Sequence, residues 1–359
     1  MSTSTPTVLI TGVAGNLGSR LTLLLGGFKI IGIDFQSPQL PPSYLFRQLD
    51  LGQESSCPEL AKLLIEDRVQ AVVHLAFVVD PLRTGILDHE RMWRINVAGT
   101  ARVLEAIAEA NRMGGNVGKL IHLSSVSAYG PDLERPVDES SPLQAHTLTY
   151  AVHKKEADEV VRSRAEGLGQ CRVFLLRPHI FAGATMQNYM VGALRGTAFG
   201  NGFLARRLRR KEKRLPLLLP VGKRYLTHKL QFIHVDDVAR LIAFLLRHAQ
   251  PAEKVTVLNV AGRGDALTIA QCALLAKAKI LRLPTRALCR AMIKLMWSMG
   301  ISSVPPDAFP YVVGSYTMDT ARLRKFLGPN YNEIIRFTNE EALKDSVADS
   351  IRAANAQVS

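Results

Sequence analysis

The sequence has no apolar run long enough to span a bilayer, so a transmembrane helix is not expected. Met1 to Thr7 lacks the basic and apolar regions of a secretory signal. Cysteine is scarce. Cys57, Cys171, Cys272 and Cys289 fall at no metal or redox spacing, which argues against a zinc module or disulfide framework and for a reducing, cytoplasmic setting. No internal repeat or low-complexity stretch is evident, so an array architecture is not expected. Acidic residues are also short, 31 Asp and Glu against 45 Lys and Arg, a formal charge of +14. Much of the excess lies in Arg206, Arg207, Arg209, Arg210, Lys211, Lys213 and Arg214, opposed only by Glu212. Such a run attracts phosphate, nucleic acid or an anionic membrane surface. No nucleic-acid-binding module accompanies it, so no nucleic-acid partner is expected. Peripheral membrane contact stays open, and a solvated helix face is the plainer reading.

What is present begins at once. The apolar run Val8-Leu9-Ile10 leads into Thr11-Gly12-Val13-Ala14-Gly15-Asn16-Leu17-Gly18, and a helix-compatible segment follows. Three glycines spaced G-x-x-G-x-x-G between strand and helix form a cradle for a dinucleotide pyrophosphate. Gly12 supplies an unusual backbone turn, Gly15 a close approach to ligand, and Gly18 close helix packing. The helix start at Asn16 and Leu17 offers unpaired N–H groups to the anion. Asp34, 22 residues after Gly12, ends a second apolar run. A carboxylate there can accept from ribose hydroxyls and repel a 2′-phosphate, favouring NAD.

Apolar runs at 7–11, 28–34, 69–76, 118–124 and 171–177 read as buried parallel strands with helical patterns between most of them. Residues 45–51 add a strand ending at Asp50. The rhythm implies an α/β fold with a doubly wound parallel sheet. Residues 1–183 form the dinucleotide-binding core. Residues 184–359 supply mainly a substrate lobe, with 230–260 returning to the core.

Small Ala76 leaves room for a cofactor at the exit of 69–76, and His74 reads as a structural strand-end residue. Asn96 organises the neighbourhood from a long helix. Gly99 in that helix costs about 1 kcal/mol relative to Ala, so a packing reason is expected. The hydroxyl-rich turn Ser124-Ser125-Val126-Ser127 sits at a strand's carboxyl end, where open α/β sheets bind ligands. Tyr150 and Lys154 are four apart in a helix reaching to about Glu166 and so share a face. A nearby ammonium lowers a phenol's pKa, making Tyr150 a usable acid/base, while Lys154 holds the ribose and Ser125 orients the substrate oxygen.

At this point the chain resembles the extended short-chain dehydrogenase/reductases, the NAD-dependent epimerase/dehydratase family. The matching elements are Thr11–Gly18, Asp34, Asp50-Leu51, His74-Leu75-Ala76, Asn96–Thr100, Ser124–Gly130, Tyr150–Lys154, Leu176-Arg177-Pro178 and His234–Ala239, in family order over about 7–245. The resemblance implies a Rossmann core with a smaller C-terminal lobe, bound NAD and a homodimer. It implies Ser125, Tyr150 and Lys154 as the catalytic trio, Asp50 and Leu51 beside the adenine, and the backbone from Pro178 to Ile180 facing the nicotinamide.

Three departures bear on the substrate. Nucleotide-sugar members commonly carry Asn where Ile180 stands, and often Arg where Leu230 stands. Sugar dehydratases place Asp-Glu where Val126-Ser127 stand. Leu176–Gly183 is nearer to hydroxysteroid dehydrogenase-like branches. The leading expectation is therefore an NAD-dependent oxidoreductase acting on a secondary alcohol or ketone of a bulky, partly apolar small molecule. The alternative is a nucleotide-sugar 4-epimerase with resident NAD, left open by Lys223, Arg224 and Lys229. A cofactor-binding protein without turnover is disfavoured by the presence of both Tyr150 and Lys154.

In the second half, 186–200 is expected as a cleft-lining helix. Residues 284–300 read as an amphipathic helix packing on the core or as a lid, with a membrane surface as the other reading. Asp319 to Leu327 and Asn339 to Ala354 are expected as closing surface helices.

Overall fold

Successive residues of a strand face opposite sides of a sheet, and the first strand buries both. In β1 (Thr7–Thr11), Val8 and Ile10 join one apolar cluster and Leu9 joins another. Such a strand is stable only with helices covering both faces. The computed structural model describes residues 5–38, 41–79, 86, 88–200, 202–248 and 253–348, and it has that architecture. Five further strands follow in chain order: β2 (Lys29–Asp34), β3 (Leu45–Gln48), β4 (Ala71–His74), β5 (Lys119–Leu123) and β6 (Arg172–Pro178). With Val255–Val260 they form a seven-stranded sheet ordered Val255–Val260, β6, β5, β4, β1, β2, β3, every pair parallel. The order reverses between β1 and β4, which opens a crevice at their carboxyl ends.

Helix α1 (Asn16–Leu24) and Val235–His248 cover one face, through Leu21, Val238, Leu241 and Leu245. On the other face lie α2 (Ser56–Glu66), α3 (Gly99–Arg112) and α4 (Thr149–Arg164), through Leu60, Leu64, Val103, Ile107 and Val161. The third strand stops at Gln48, earlier than the expected Asp50. Asp50 instead turns back to accept from the Gly52 N–H at 2.8 Å, a local bond that competes with the ladder. The expected long helix around Asn96 is interrupted by a π-helical turn, Arg94–Ala98, before α3. The packing reason for Gly99 is Leu51: a Cβ there would sit 3.2 Å from the Leu51 Cβ and 3.3 Å from its carbonyl oxygen.

A third cluster lies beyond the sheet's carboxyl edge. It joins Met190, Leu194, Leu217–Leu219, Leu230, Ile293 and Val312 among others, and Tyr150 packs against it. Its strands come in small pairs: Ile180–Ala182 with Phe232–His234, Leu217–Pro220 with Ile280–Leu283, and Lys229–Leu230 with Leu267–Thr268. The helix expected over 186–200 is only Tyr189–Arg195, ended by Gly196 in the left-handed conformation. Arg286–Ser298 is a helix within the bounds expected. Ala321–Leu327 is no mere surface closure, because its buried Leu323 and Leu327 complete the apolar layer beneath the main sheet. The last helix is Asn339–Ala348, and the rest of the expected 339–354 lies outside the described residues. Among the described residues no helix is long and apolar enough to cross a membrane, and no group of His, Cys, Asp or Glu is placed to hold a metal ion.

Candidate active site

The turn after β1 is built from backbone constraints. Gly12 has φ +71°, and a Cβ on it would lie 2.6 Å from the Ala76 nitrogen. A Cβ on Gly18 would come within 2.5 Å of the Gly12 carbonyl oxygen, so glycine lets α1 fold back onto the turn. Gly15 stands at the N-cap of α1 with no side chain capping the helix. The first-turn N–H groups, Asn16 and Leu17 included, therefore have no intrahelical or capping partner. Asp34 is half-buried at the end of β2 and accepts from the Ala14 N–H at 3.1 Å. Burial pushes its carboxyl above the ordinary value, against the opposing pull of the Gln36, Ala14 and Phe35 N–H groups. The exposed Asn16 side chain reaches across to Thr185 at 2.8 Å, and Arg20 joins Asn16, Thr185 and Asp236.

The strand next door is fixed just as tightly. His74 sits between the hydroxyls of Thr11 at 2.7 Å and Thr100 at 3.0 Å, and burial pushes it down to about 3. It is thus a neutral structural bridge. Thr11 also accepts from the Ala76 N–H at 3.2 Å. Asn96 clamps the following loop by accepting from Val78 N–H at 2.7 Å and donating to its carbonyl at 3.1 Å. Asp50 is occupied by Gly52, and Leu51 is buried against Gly99.

The hydroxyl-rich turn after β5 is a short 3₁₀ helix, Val126–Tyr129, capped by Ser125. Ser125 Oγ accepts from the Ser127 N–H at 3.2 Å and from Ser127 Oγ at 2.9 Å. Tyr150, at the start of α4, brings its phenol near both serines, whose hydroxyls favour its ionised form. One turn on, Lys154 Nζ donates to the Leu123 carbonyl at 2.7 Å and lies 3.5 Å from the centre of the Phe77 ring. Phe77 in turn meets Tyr150 edge-on, ring centres 5.8 Å apart.

The charge balance differs from expectation. Lys154 was to lower the phenol's pKa, yet burial holds Tyr150 above its ordinary value, and what opposes burial is hydrogen bonding from Ser125 and Ser127. The lysine is itself 5% exposed and is pushed down to about 7, with Asp158 opposing. Its Nζ lies 5.9 Å from the Tyr150 ring centre, turned toward Leu123 and Phe77. Desolvation is the largest cause of the shift in both groups.

Asp158 is one further turn along α4 and forms a two-pronged pair with Arg177, both contacts 2.9 Å and both side chains 0% exposed. Arg177 also donates to the Tyr129 hydroxyl at 2.7 Å, and that hydroxyl donates to Asn259 at 2.8 Å. Pro178 ends β6, and buried Ile180 donates its N–H to His179 Nδ1 at 2.9 Å. His179 stacks on Tyr316 of the lobe, centres 5.2 Å apart. Leu230 is 1% exposed in the lobe cluster, while Lys223, Arg224 and Lys229 are exposed.

Ser127, Phe77 and Tyr316 were not among the residues expected here. Ser127 had a signal, its place two residues past a capping serine. Phe77 and Tyr316 had none, since their roles arise from tertiary contact.

A dinucleotide fits these residues. The glycine turn is a cradle that side chains would fill, the helix start is uncapped, and Asp34 stands at the strand end beside it. Two buried polar groups at the exit of β5, His122 and the Ser124 hydroxyl, have no hydrogen-bond partner among the described residues.

Residues 8–261 match the model of the NAD dependent epimerase/dehydratase family. The chain belongs to this family. NAD is its cofactor, and it is an enzyme of the epimerase/dehydratase class. Among curated relatives it is 28% identical over 259 residues to the UDP-glucose 4-epimerase GEPI48 of Cyamopsis tetragonoloba, covering 66% of this chain and 70% of that one. It is 30% identical over 170 residues to a dTDP-6-deoxy-L-talose 4-dehydrogenase of Kitasatospora kifunensis, covering 46% and 49%. In fold this epimerase/dehydratase is similar to MoeE5, solved with UDP-glucuronic acid and NAD (TM-score 0.65, 22% identity, 97% of this chain and 99% of that one). It is likewise similar to the Bifidobacterium longum UDP-glucose 4-epimerase, solved with NAD+ and UDP (TM-score 0.66, 17% identity, 98% and 99%).

Proposed function

We propose that this chain is a nucleotide-sugar 4-epimerase working through Ser125, Tyr150 and Lys154. The observation that carries the reaction class is the convergence of the Tyr150 phenol and the Ser125 hydroxyl, near enough for the serine to favour the ionised phenol, at the carboxyl end of β5 beside the sheet's reversal point. The 4-epimerase names of the matched relatives favour the sugar, moving the balance away from the bulky-alcohol dehydrogenase of the leading expectation. When bound, NAD supplies a hydride acceptor at the sugar carbon and the donor for its return. The glycine turn Gly12–Gly18, with Asn16 and Leu17 at the helix start, holds the pyrophosphate, and Asp34 the ribose. Asp50, Leu51, Ala76, Pro178 and Ile180 complete the cofactor's surroundings. Ser125 orients the substrate hydroxyl, and Tyr150 takes its proton and later restores it. Lys154 supplies positive charge on the same helical face.

A second reading rests on Leu230 and Ile180. Both are buried apolar side chains where a sugar diphosphate site commonly has Arg and Asn. They favour a dehydrogenase with an apolar substrate. The two readings separate in one experiment: the purified enzyme is incubated with UDP-glucose and, in parallel, with sterol-like secondary alcohols plus excess NAD. Epimerisation gives UDP-galactose with no net NADH. NADH accumulating with an alcohol, and no sugar conversion, overturns the proposal for the second reading.

A further inference from the structure

The chain's positive charge is confined to part of the lobe. Of the 45 Lys and Arg, 17 fall within 179–235 and 266–306, whereas of the 31 Asp and Glu only Glu212 does. The rest of the chain, with 28 basic and 30 acidic residues, is nearly neutral. Two helices carry much of this charge to the surface. In Phe203–Arg210 and Arg286–Ser298 there is no acidic residue.

The same helices expose large apolar side chains. Phe203 is 74% exposed, Leu295 53%, Met299 49% and Trp297 37%. Arg286–Ser298 buries only Cys289 and Ile293, so most of its length lies open. The two helices are neighbours. Ala205 and Leu208 of the first pack with Met296 and Ile301 at the end of the second. The chain entering the first helix is bonded there too: Phe199 N–H donates to the Ile301 carbonyl at 2.8 Å, and Gly200 lies against the Gly300 carbonyl. The Phe203 end of one helix therefore meets the Trp297–Gly300 end of the other.

Not all of the basic run is free. Arg209 donates to the carbonyls of Ala198 and Gly200, and Arg214 to those of Arg195 and Ala276, so these two hold the fold. Arg206, Arg207, Arg210, Lys211 and Lys213 are exposed, with no ion-pair partner among the described residues.

We propose that this surface is a docking face for an anionic lipid bilayer, on which the protein rests peripherally with the adjoining Phe203 and Trp297–Met299 ends in the headgroup region. Charge complementarity selects the occupant. A second copy of the chain would set like charge on like, and a nucleic acid leaves the interleaved Phe, Leu, Trp and Met side chains in water. Anionic headgroups satisfy the arginines and lysines while the acyl boundary takes up the apolar ones.

The test uses the full-length protein with phosphatidylcholine vesicles, either plain or with about one third phosphatidylglycerol, since the surface charge is the variable. Flotation is expected with the anionic vesicles alone, weakening as salt rises. The triple variant Arg206→Gln, Arg207→Gln, Arg210→Gln should lose roughly a hundredfold in partition, about fivefold for each charge. The pair Phe203→Ser and Met299→Ser should lose the salt-resistant remainder. Trp93 is the only other tryptophan, so Trp93→Phe isolates Trp297, whose emission should shift to the blue on anionic vesicles. Absence of flotation overturns the proposal, as does flotation unchanged in the triple variant or an unmoved Trp297 emission. Binding to polyglutamate with none to vesicles assigns the face to an acidic protein and overturns it equally.

Discussion

Lys154→Met should stabilise the fold while disabling the site, and the gain should fade as pH rises. Burial pushes the ammonium from 10.5 down to about 7, and at 5% exposure solvent gives little relief. At 1.36 kcal/mol per pKa unit, that fall means a cost of about 5 kcal/mol whenever the folded protein must carry the charge. Methionine keeps most of the stem, so the cavity term is small. It does strip the Leu123 carbonyl of its 2.7 Å ammonium hydrogen bond. That loss is worth about 2 kcal/mol, leaving the variant ahead by about 3 kcal/mol near pH 6. The folded pKa lies below the unfolded one. Between about 7 and 10.5 the unfolded chain therefore binds more protons, and the parent gains stability as pH rises through that window. The variant has no such group and gains nothing. By about pH 9 the parent has recovered about 2.7 kcal/mol and the two should melt together. For a chain of this length the difference near pH 6 amounts to about 4 °C in Tm. Urea and thermal unfolding, followed by circular dichroism near pH 6 and near pH 9, measure it. A variant less stable than its parent near pH 6, or an advantage that does not change with pH, would refute the reasoning.

Three other substitutions test neighbouring parts of the site. Tyr150→Phe keeps the ring against Phe77 and removes the hydroxyl that faces the two serines, so kcat should fall by about 10²–10⁴ with an unaltered circular dichroism spectrum. Retention of more than about a tenth of the turnover would count against Tyr150 as the proton carrier. Gly12→Ala forces a Cβ to within 2.6 Å of the Ala76 backbone at φ +71°, which should cost about 2–4 kcal/mol and release bound NAD. Calorimetry together with cofactor content of the purified protein reads both effects, and an unchanged melting point sinks the steric argument. Asp158→Asn removes the partner of a fully buried arginine and should cost about 3–5 kcal/mol in urea unfolding. It should also shift the pH–rate profile toward lower pH, because Asp158 is what holds the Lys154 pKa up.

The Rossmann half was legible because two periodicities meet in it. Residues such as Val8-Leu9-Ile10 can be buried on both faces only in a covered parallel sheet, and the glycines that follow leave one economical turn. Asp50 shows the limit. Apolar content continued past Gln48, but the carboxylate's bond to the Gly52 N–H ended the strand, and hydropathy does not register a competing local hydrogen bond. Lobe boundaries were harder, because short elements such as Tyr189–Arg195 and Ile280–Leu283 pack some of their side chains against one shared cluster and are too short to show a period of their own. Tyr150 and Lys154 were found by spacing. Their electrostatics were not, because spacing says which charges are near and nothing about how much water each has lost.

That loss of water also explains why the helix carries a third charged group. Tyr150, Lys154 and Asp158 are spaced by four, on one face of α4, and the far end is locked by Arg177 of β6. The lock lies eight residues from the phenol, about 12 Å along the axis. A buried ion pair adds little net stability, because the desolvation of both ions offsets their attraction. Its two-pronged geometry does fix position, since a guanidinium donates both hydrogen bonds to a carboxylate in one plane only. Arg177 and Asp158 thus set the height of α4 against the sheet, and with it the height at which Tyr150 meets Ser125. Asp158 has a second effect, opposing the fall of the lysine pKa, so one carboxylate serves both the register of the helix and the charge of Lys154. The pairing of Arg177 on β6 with Asp158 on α4 therefore belongs to the site's construction, although neither side chain touches solvent.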